Sequence, residues 1–157
     1  MTETERLCDE LRRALDGPAW HGPALREVLA GVDAATASAR PIAGAHTIWE
    51  LVRHLAAWLQ VVRDRLDGRP LPEPEEGDWP PVDATDEAAW LSALALLTSR
   101  QEALLDAVRA LPPERLDAPL YEGSSTAYAT LHGLAQHYAY HGGQIVLLKK
   151  ALGRSSG

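Results

Sequence analysis

Two histidines, His137 and His141, stand four residues apart in the segment HYAYHGGQIVLLKKALG. In a helix that spacing places two imidazoles one turn apart on one face. Such a pair can close on a single metal ion through its ring nitrogens. A straight helix cannot wrap round the ion, so a third ligand has to come from another element. His54, in the segment HTIWELVRHLAAW, is placed to supply it. Three protein ligands leave at least one coordination position for water or substrate, as in catalytic rather than closed structural sites. Neutral nitrogen donors suit zinc, nickel, iron or copper. The competing reading makes each histidine an ordinary polar residue satisfied at the edge of a packed core. The residues by themselves leave both readings open.

The elements that must carry these side chains read as helices throughout. No run of alternating polarity is long enough for a strand, and no repeat of 20–50 residues is present. Residues 3–15 form a first helix, with Leu7, Leu11 and Leu15 on one face and Gly17-Pro18 closing it. Residues 23–31 form a second, short helical piece, followed by a turn around Pro41 and Gly44. Thr47 and Glu50 then spell a capping box, each able to bond the other's backbone. The helix they start runs to about Leu66, with an apolar stripe of Ile48, Leu51, Leu55, Trp58, Leu59, Val62 and Leu66. His54 falls on the edge of that stripe, three residues after Leu51 and four before Trp58. Residues 69–83, RPLPEPEEGDWPPVD, are Pro-rich and acidic and read as an exposed loop. A further helix spans about Asp86 to Leu111. The last spans about Thr126 to Leu152, ended by Gly153 and capped by Ser124 or Ser125. Its inward stripe is Leu131, Leu134, Tyr138, Ile145 and Leu148, and His137, His141 and Gln144 run along the same side. The expected fold is all-α: a four-helix bundle with short extra helical pieces and a Pro-rich loop, forming one domain over residues 1–157.

Other residues can take part around such a site. Gln144 can hold a ligand ring or a bound water, or make a plain bond between helices. Trp58, one turn after His54, is placed as a wall. Tyr138 joins the pocket residues, its ring in the core and its hydroxyl at the rim. His46, just before the cap, stands either exposed or at the mouth of the site. Trp79 in the acidic loop can anchor that loop or cover the pocket. His21 and His132 read as structural or solvent-facing, and Cys8, between Leu7 and Leu11, as a buried thiol. No catalytic residue can be assigned, because no base stands beside a nucleophile. Two familiar metal patterns fail on spelling. A metalloprotease helix needs glutamate after the first histidine, where Tyr138 stands. A di-iron bundle needs four carboxylates, and the last helix has no acid.

Composition narrows the function classes. The net charge is −7, from 15 basic and 22 acidic residues, which argues against a nucleic-acid partner. The longest apolar run is far short of the ~20 residues of a membrane span. The N-terminus MTETERLCDELRR is charged and mixed, and a lone cysteine fits a reducing compartment, so a cytoplasmic location is expected. Five tryptophans are more than a small bundle easily buries, which points to self-association.

The helix order, the stretch HTIWELVRHLAAW and above all HYAYHGGQIVLLKKALG resemble the DinB superfamily of DinB/YfiT-like metalloenzymes. WHGPALREVLAG is also similar to its members, and the resemblance spans roughly residues 3–153. It implies a four-helix bundle whose three histidines bind a divalent metal, zinc or nickel. By motif those ligands fall on His54, His137 and His141, and the family glutamine on Gln144. Members of known activity are mostly transferases or isomerases that use a low-molecular-weight thiol such as bacillithiol or mycothiol. Others are called DNA-damage-inducible proteins or metal-dependent hydrolases. The resemblance therefore implies a small-molecule substrate, a thiol-dependent S-transferase or a related transferase or hydrolase, and a homodimer. The alternative is a non-catalytic, stress-associated bundle that binds a metal or a small ligand.

Overall fold

The computed structural model describes residues 1–154. The last three residues of the 1–157 reading lie outside the described part. The described residues form six α-helices, one short 3-10 turn and no strand. The helices are α1 (Glu3–Asp16), α2 (Leu25–Leu29), α3 (Ala34–Ser38), α4 (Ile48–Leu66), α5 (Glu87–Ala110) and α6 (Ala127–Arg154).

Each long helix has a local reason to begin where it does. Thr2 with Glu5, and Thr47 with Glu50, form reciprocal capping boxes at α1 and α4. Asp86 caps α5 by accepting the Ala89 amide at 3.0 Å. At α6 the cap is Thr126, whose hydroxyl accepts the Ala129 amide at 3.2 Å. The expectation of Ser124 or Ser125 is corrected here: the Ser124 hydroxyl closes the preceding turn onto Tyr121 instead. α6 also runs through Gly153 to Arg154. A glycine costs a helix about 1 kcal/mol relative to alanine but does not force it to end.

Packing then sorts the helices. α4 lies against α5 and α6, and α1 lies against the same two, so α1 and α4 occupy one diagonal of a four-helix bundle. The stripes read from the sequence face inward: Leu7, Leu11 and Leu15 of α1, Leu51, Leu55 and Leu59 of α4, and Leu131, Ile145 and Leu148 of α6 are all buried. Each such aliphatic side chain contributes about 1.5–3 kcal/mol of burial. Buried residues from all four long helices join in one core cluster. Trp49 and Trp90 pack at its centre, 5.2 Å apart, with Trp90 Nε1 donating to Val32 O at 2.7 Å. Cys8 is buried, as read; its thiol donates to Leu105 O, and burial pushes its pKa up.

Two short pieces depart from the sequence reading. α3 is a helix of five residues capped by Asp33, where no helix is expected. The acidic loop is not exposed throughout. Pro74 and Pro80 are buried, Leu71 and Trp79 are half-buried, and Arg65 of α4 donates to Leu71 O and Pro72 O at 2.6 and 2.7 Å. The loop is strapped to the bundle on the side that carries the histidines.

Candidate metal centre

His54 sits two turns into α4, held in register by the Thr47–Glu50 cap; Glu50 accepts the Thr47 amide at 2.7 Å. His137 and His141 come from the middle of α6, one turn apart. α4 and α6 pack side by side, and the three rings meet between them. His137 Nε2 lies 2.9 Å from His54 Nε2 and 2.9 Å from His141 Nε2. The three rings stand steeply to one another, with interplanar angles of 70–75°. His54 and His141 are each only 5% exposed.

The other ring nitrogens reveal what these atoms can do. His54 Nδ1 is 2.6 Å from the backbone oxygen of Asp78. A carbonyl can only accept, so Nδ1 carries the proton and neutral His54 presents a lone pair at Nε2. His141 Nδ1 is 2.7 Å from Gln144 Oε1, which fixes the same tautomer by the same reasoning. Two lone pairs therefore point at His137 Nε2. One proton there cannot satisfy two acceptors, and without it three lone pairs converge. A cation resolves the conflict. Ligand bonds of about 2.0–2.1 Å, as histidine makes to zinc, can span nitrogens at this separation. Bonding the far ring nitrogen to a carbonyl or amide oxygen is also how proteins orient ligand histidines.

Electrostatics keep the cluster ready for a cation. Burial, with His141 and His54 alongside, lowers the His137 pKa to about 4. Burial also lowers the pKa values of His54 and His141, against the hydrogen bonds they donate to the Asp78 carbonyl and Gln144 Oε1, which pull the other way. All three rings are thus neutral at pH 7, the state a ligand needs.

The acidic loop closes over this cluster. Trp79 stacks on His54 at 4.1 Å between ring centroids and on His46 at 3.5 Å, nearly parallel to both. Asp78 bonds His54 through its backbone and Trp58 Nε1 through its carboxylate at 2.7 Å. The carboxylate also lies 3.2 Å from His54 Nδ1. Trp58 is half-buried beside His54 and His137, as a wall would be. His46 is at the mouth, its Nδ1 3.3 Å from Glu50 Oε2. Tyr138 has its ring in the core, as expected, but it is not a pocket residue. It is 1% exposed, and its hydroxyl donates to Gln101 of α5 rather than reaching the site's rim. Its ring leaves the helix about 100° round from His137, which carries it past the cluster into the core. Asp78 and Arg65 were missed by sequence reasoning. A charged residue immediately before Leu66 at the end of an apolar stripe was the available signal for Arg65; nothing periodic marks Asp78.

A cavity of about 700 Å³ is lined by Cys8, Arg12 and Arg109 among others and shares no residue with the imidazole cluster. No curated protein and no solved structure matches the chain. The family model of the DinB superfamily matches residues 19–145, well over half of the chain, from just before α2 to the middle of α6. That span includes all three converging imidazoles and the glutamine that orients one of them, and the chain belongs to the DinB superfamily.

Proposed function

We propose that His54, His137 and His141 hold a divalent metal, zinc or nickel, and that the bundle is a metal-dependent enzyme of thiol-dependent group transfer or a related hydrolysis. The observation that carries the reading is the convergence of three Nε2 atoms whose rings are fixed from behind by Asp78 O and Gln144 Oε1. Among the described residues no fourth histidine, cysteine or carboxylate joins that group. A position is then left for a small molecule, here a low-molecular-weight thiol. When bound, such a metal supplies Lewis acidity, which acidifies a water or thiol at the open position. The protein's part is to keep three imidazoles neutral and aimed, and to exclude water with Trp58 and Trp79.

One observation favours a second reading, a non-catalytic metal-binding bundle. Trp79 lies flat on His54 and covers the cluster. A cobalt-substituted protein separates the two. Adding cysteine as a test thiol should produce a sulfur-to-cobalt charge-transfer band if the position is open. An unchanged spectrum at saturating thiol would assign the cluster to binding alone. No helix among the described residues is long and apolar enough to cross a membrane.

We also propose that the chain pairs as a homodimer. Of its five tryptophans, Trp49 and Trp90 are buried, Trp58 and Trp79 pack at the imidazoles, and Trp20 alone is wholly exposed, at 102%. It stands at a groove between α1 and α6 floored by Ala14, Ala135 and Ala139 and edged by Arg6, Asp9, Glu10 and Arg13. Two-fold pairing would cover it on both copies. Sedimentation should show a species twice the chain mass that Trp20→Ser weakens; a monomer at micromolar concentration would sink the proposal.

A further inference from the structure

A second cavity, of about 310 Å³, adjoins the imidazole cluster. Ile42, Ala45, His46, Gln144, Leu147 and Leu148 line it, so its walls are the loop before α4 and one face of α6. Two of these residues connect it to the cluster. Gln144 accepts the Nδ1 proton of His141 at 2.7 Å. His46 stacks on Trp79, whose indole also stacks on His54. Through Gln144 the cavity and the cluster are therefore separated by a single side chain.

The lining has a definite chemistry. Apart from His46 and Gln144 it is aliphatic or backbone, and no lysine, arginine, aspartate or glutamate is part of it. Arg40, whose guanidinium also donates to Ala45 O at the cavity's edge, is paired with Glu50 at 2.8 Å. Glu50 also receives the Thr47 amide and faces His46. Ile42 and Leu147 leave large apolar surfaces uncovered at the rim, 41% and 60% exposed. Such a lining rewards apolar surface and penalises an unpaired charge. Its volume falls at the small end of ligand pockets. His46 and Gln144 are the polar groups able to orient an occupant; the Gln144 amide has two N–H donors besides the oxygen that His141 uses.

We propose that this cavity is a subsite for an uncharged, apolar small molecule bound next to the imidazole cluster. The proposal rests on the reading of that cluster as a metal centre. The lining holds no lysine or arginine to pair with the carboxylates of a thiol co-substrate, so the occupant is the other substrate.

Benzyl alcohol and benzoate serve as paired probes, alike in size and opposite in charge. Each is titrated into the full chain and followed by nuclear magnetic resonance. Benzyl alcohol should shift the amides of Gly44 and Ala45 and the methyls of Leu147 saturably. Benzoate should bind at least about tenfold more weakly, because the lining has no lysine or arginine to offset the water its carboxylate loses. Leu147→Glu should abolish benzyl alcohol binding while leaving metal content unchanged; this position is exposed, so the fold tolerates it. In the cobalt-loaded chain the bound benzyl alcohol protons should show paramagnetic shifts that the zinc-loaded chain lacks. Equal binding of benzoate, shifts scattered away from these residues, or saturable binding with no cobalt effect would each overturn the proposal. A chain that takes up no cobalt at all would instead count against the metal reading, and the contrast between benzyl alcohol and benzoate would still decide the chemistry of the cavity.

Discussion

His137 and Tyr138 are neighbours on α6, and the interior treats them in opposite ways. Tyr138 is fully buried, its hydroxyl donates to Gln101 Oε1, and Gln101 Nε2 donates on to Leu11 O at 3.3 Å. That thread joins α6, α5 and α1 and is complete in itself. Burial pushes the phenol pKa well above its usual value, so the proton stays where the bond needs it. His137 Nε2 instead faces two other ring nitrogens, both with lone pairs turned towards it. Hydrogen-bond accounting separates the two clusters. Buried polar groups that satisfy one another serve the structure, whereas groups that converge like on like are arranged for something added.

The sharpest test of this contrast is to remove one member from each cluster. His54→Ala, His137→Ala and His141→Ala should each lower metal affinity by more than about 100-fold, beyond the loss typical of an outer partner. Metal analysis of protein purified without a nickel column reads this directly. Unchanged occupancy in any one variant would remove that residue from the site. In chelator the same variants should stay folded, with His54→Ala the least stable because it loses the bond to Asp78 O and the stack with Trp79.

Acidification should break one cluster and spare the other. The His137 pKa is about 4 in the folded chain against about 6.5 unfolded. The unfolded chain therefore takes up a proton that the folded one refuses. Stability is fully present above about pH 6.5 and is lost as pH falls from there towards 4. His54 and His141 act in the same direction. In thermal melts, chelator should lower the melting temperature clearly at pH 7.5 and much less at pH 5, where protons already compete with metal. An equal chelator effect at both pH values would mean that the imidazoles are packed bystanders.

A smaller effect is expected on the Tyr138 side. Tyr138→Phe leaves Gln101 Oε1 buried without its donor and should cost about 1–3 kcal/mol in urea unfolding. Metal content should not change. Loss of metal in this variant would blur the separation between the two clusters.

The smallest effect is expected in the loop. Asp78→Ala keeps the backbone carbonyl on His54 but releases the carboxylate from Trp58. Metal affinity should fall by about tenfold, the lower end for an orienting partner. Metal exchange should quicken, because Trp79 loses the adjacent anchor. Exchange as slow as in the parent would show that the Asp78 carboxylate does not hold the loop in place.

Much of this molecule can be read along the chain. The four long helices follow from apolar residues three and four apart, and their starts from Thr47–Glu50 and Asp86. The face shared by His137, His141 and Gln144 follows from the helical repeat, and His54 falls on the inner edge of α4 for the same reason. These features are local: a side chain's direction on a helix depends on its own position and little else. α3 escaped because five residues carry too short a period, and Thr126 was passed over because three hydroxyl residues in a row compete for one cap. Only the tertiary structure decided which inward-facing polar residues meet. Tyr138 and His137 both point inward, but about 100° of rotation sends one to Gln101 and the other to His54. Asp78 and Trp79 lie in a loop with no period at all. Their place over the imidazoles comes from Arg65 gripping Leu71 and Pro72, and from an indole that fits between His46 and His54. Such contacts join residues far apart in the chain, and no local rule encodes them.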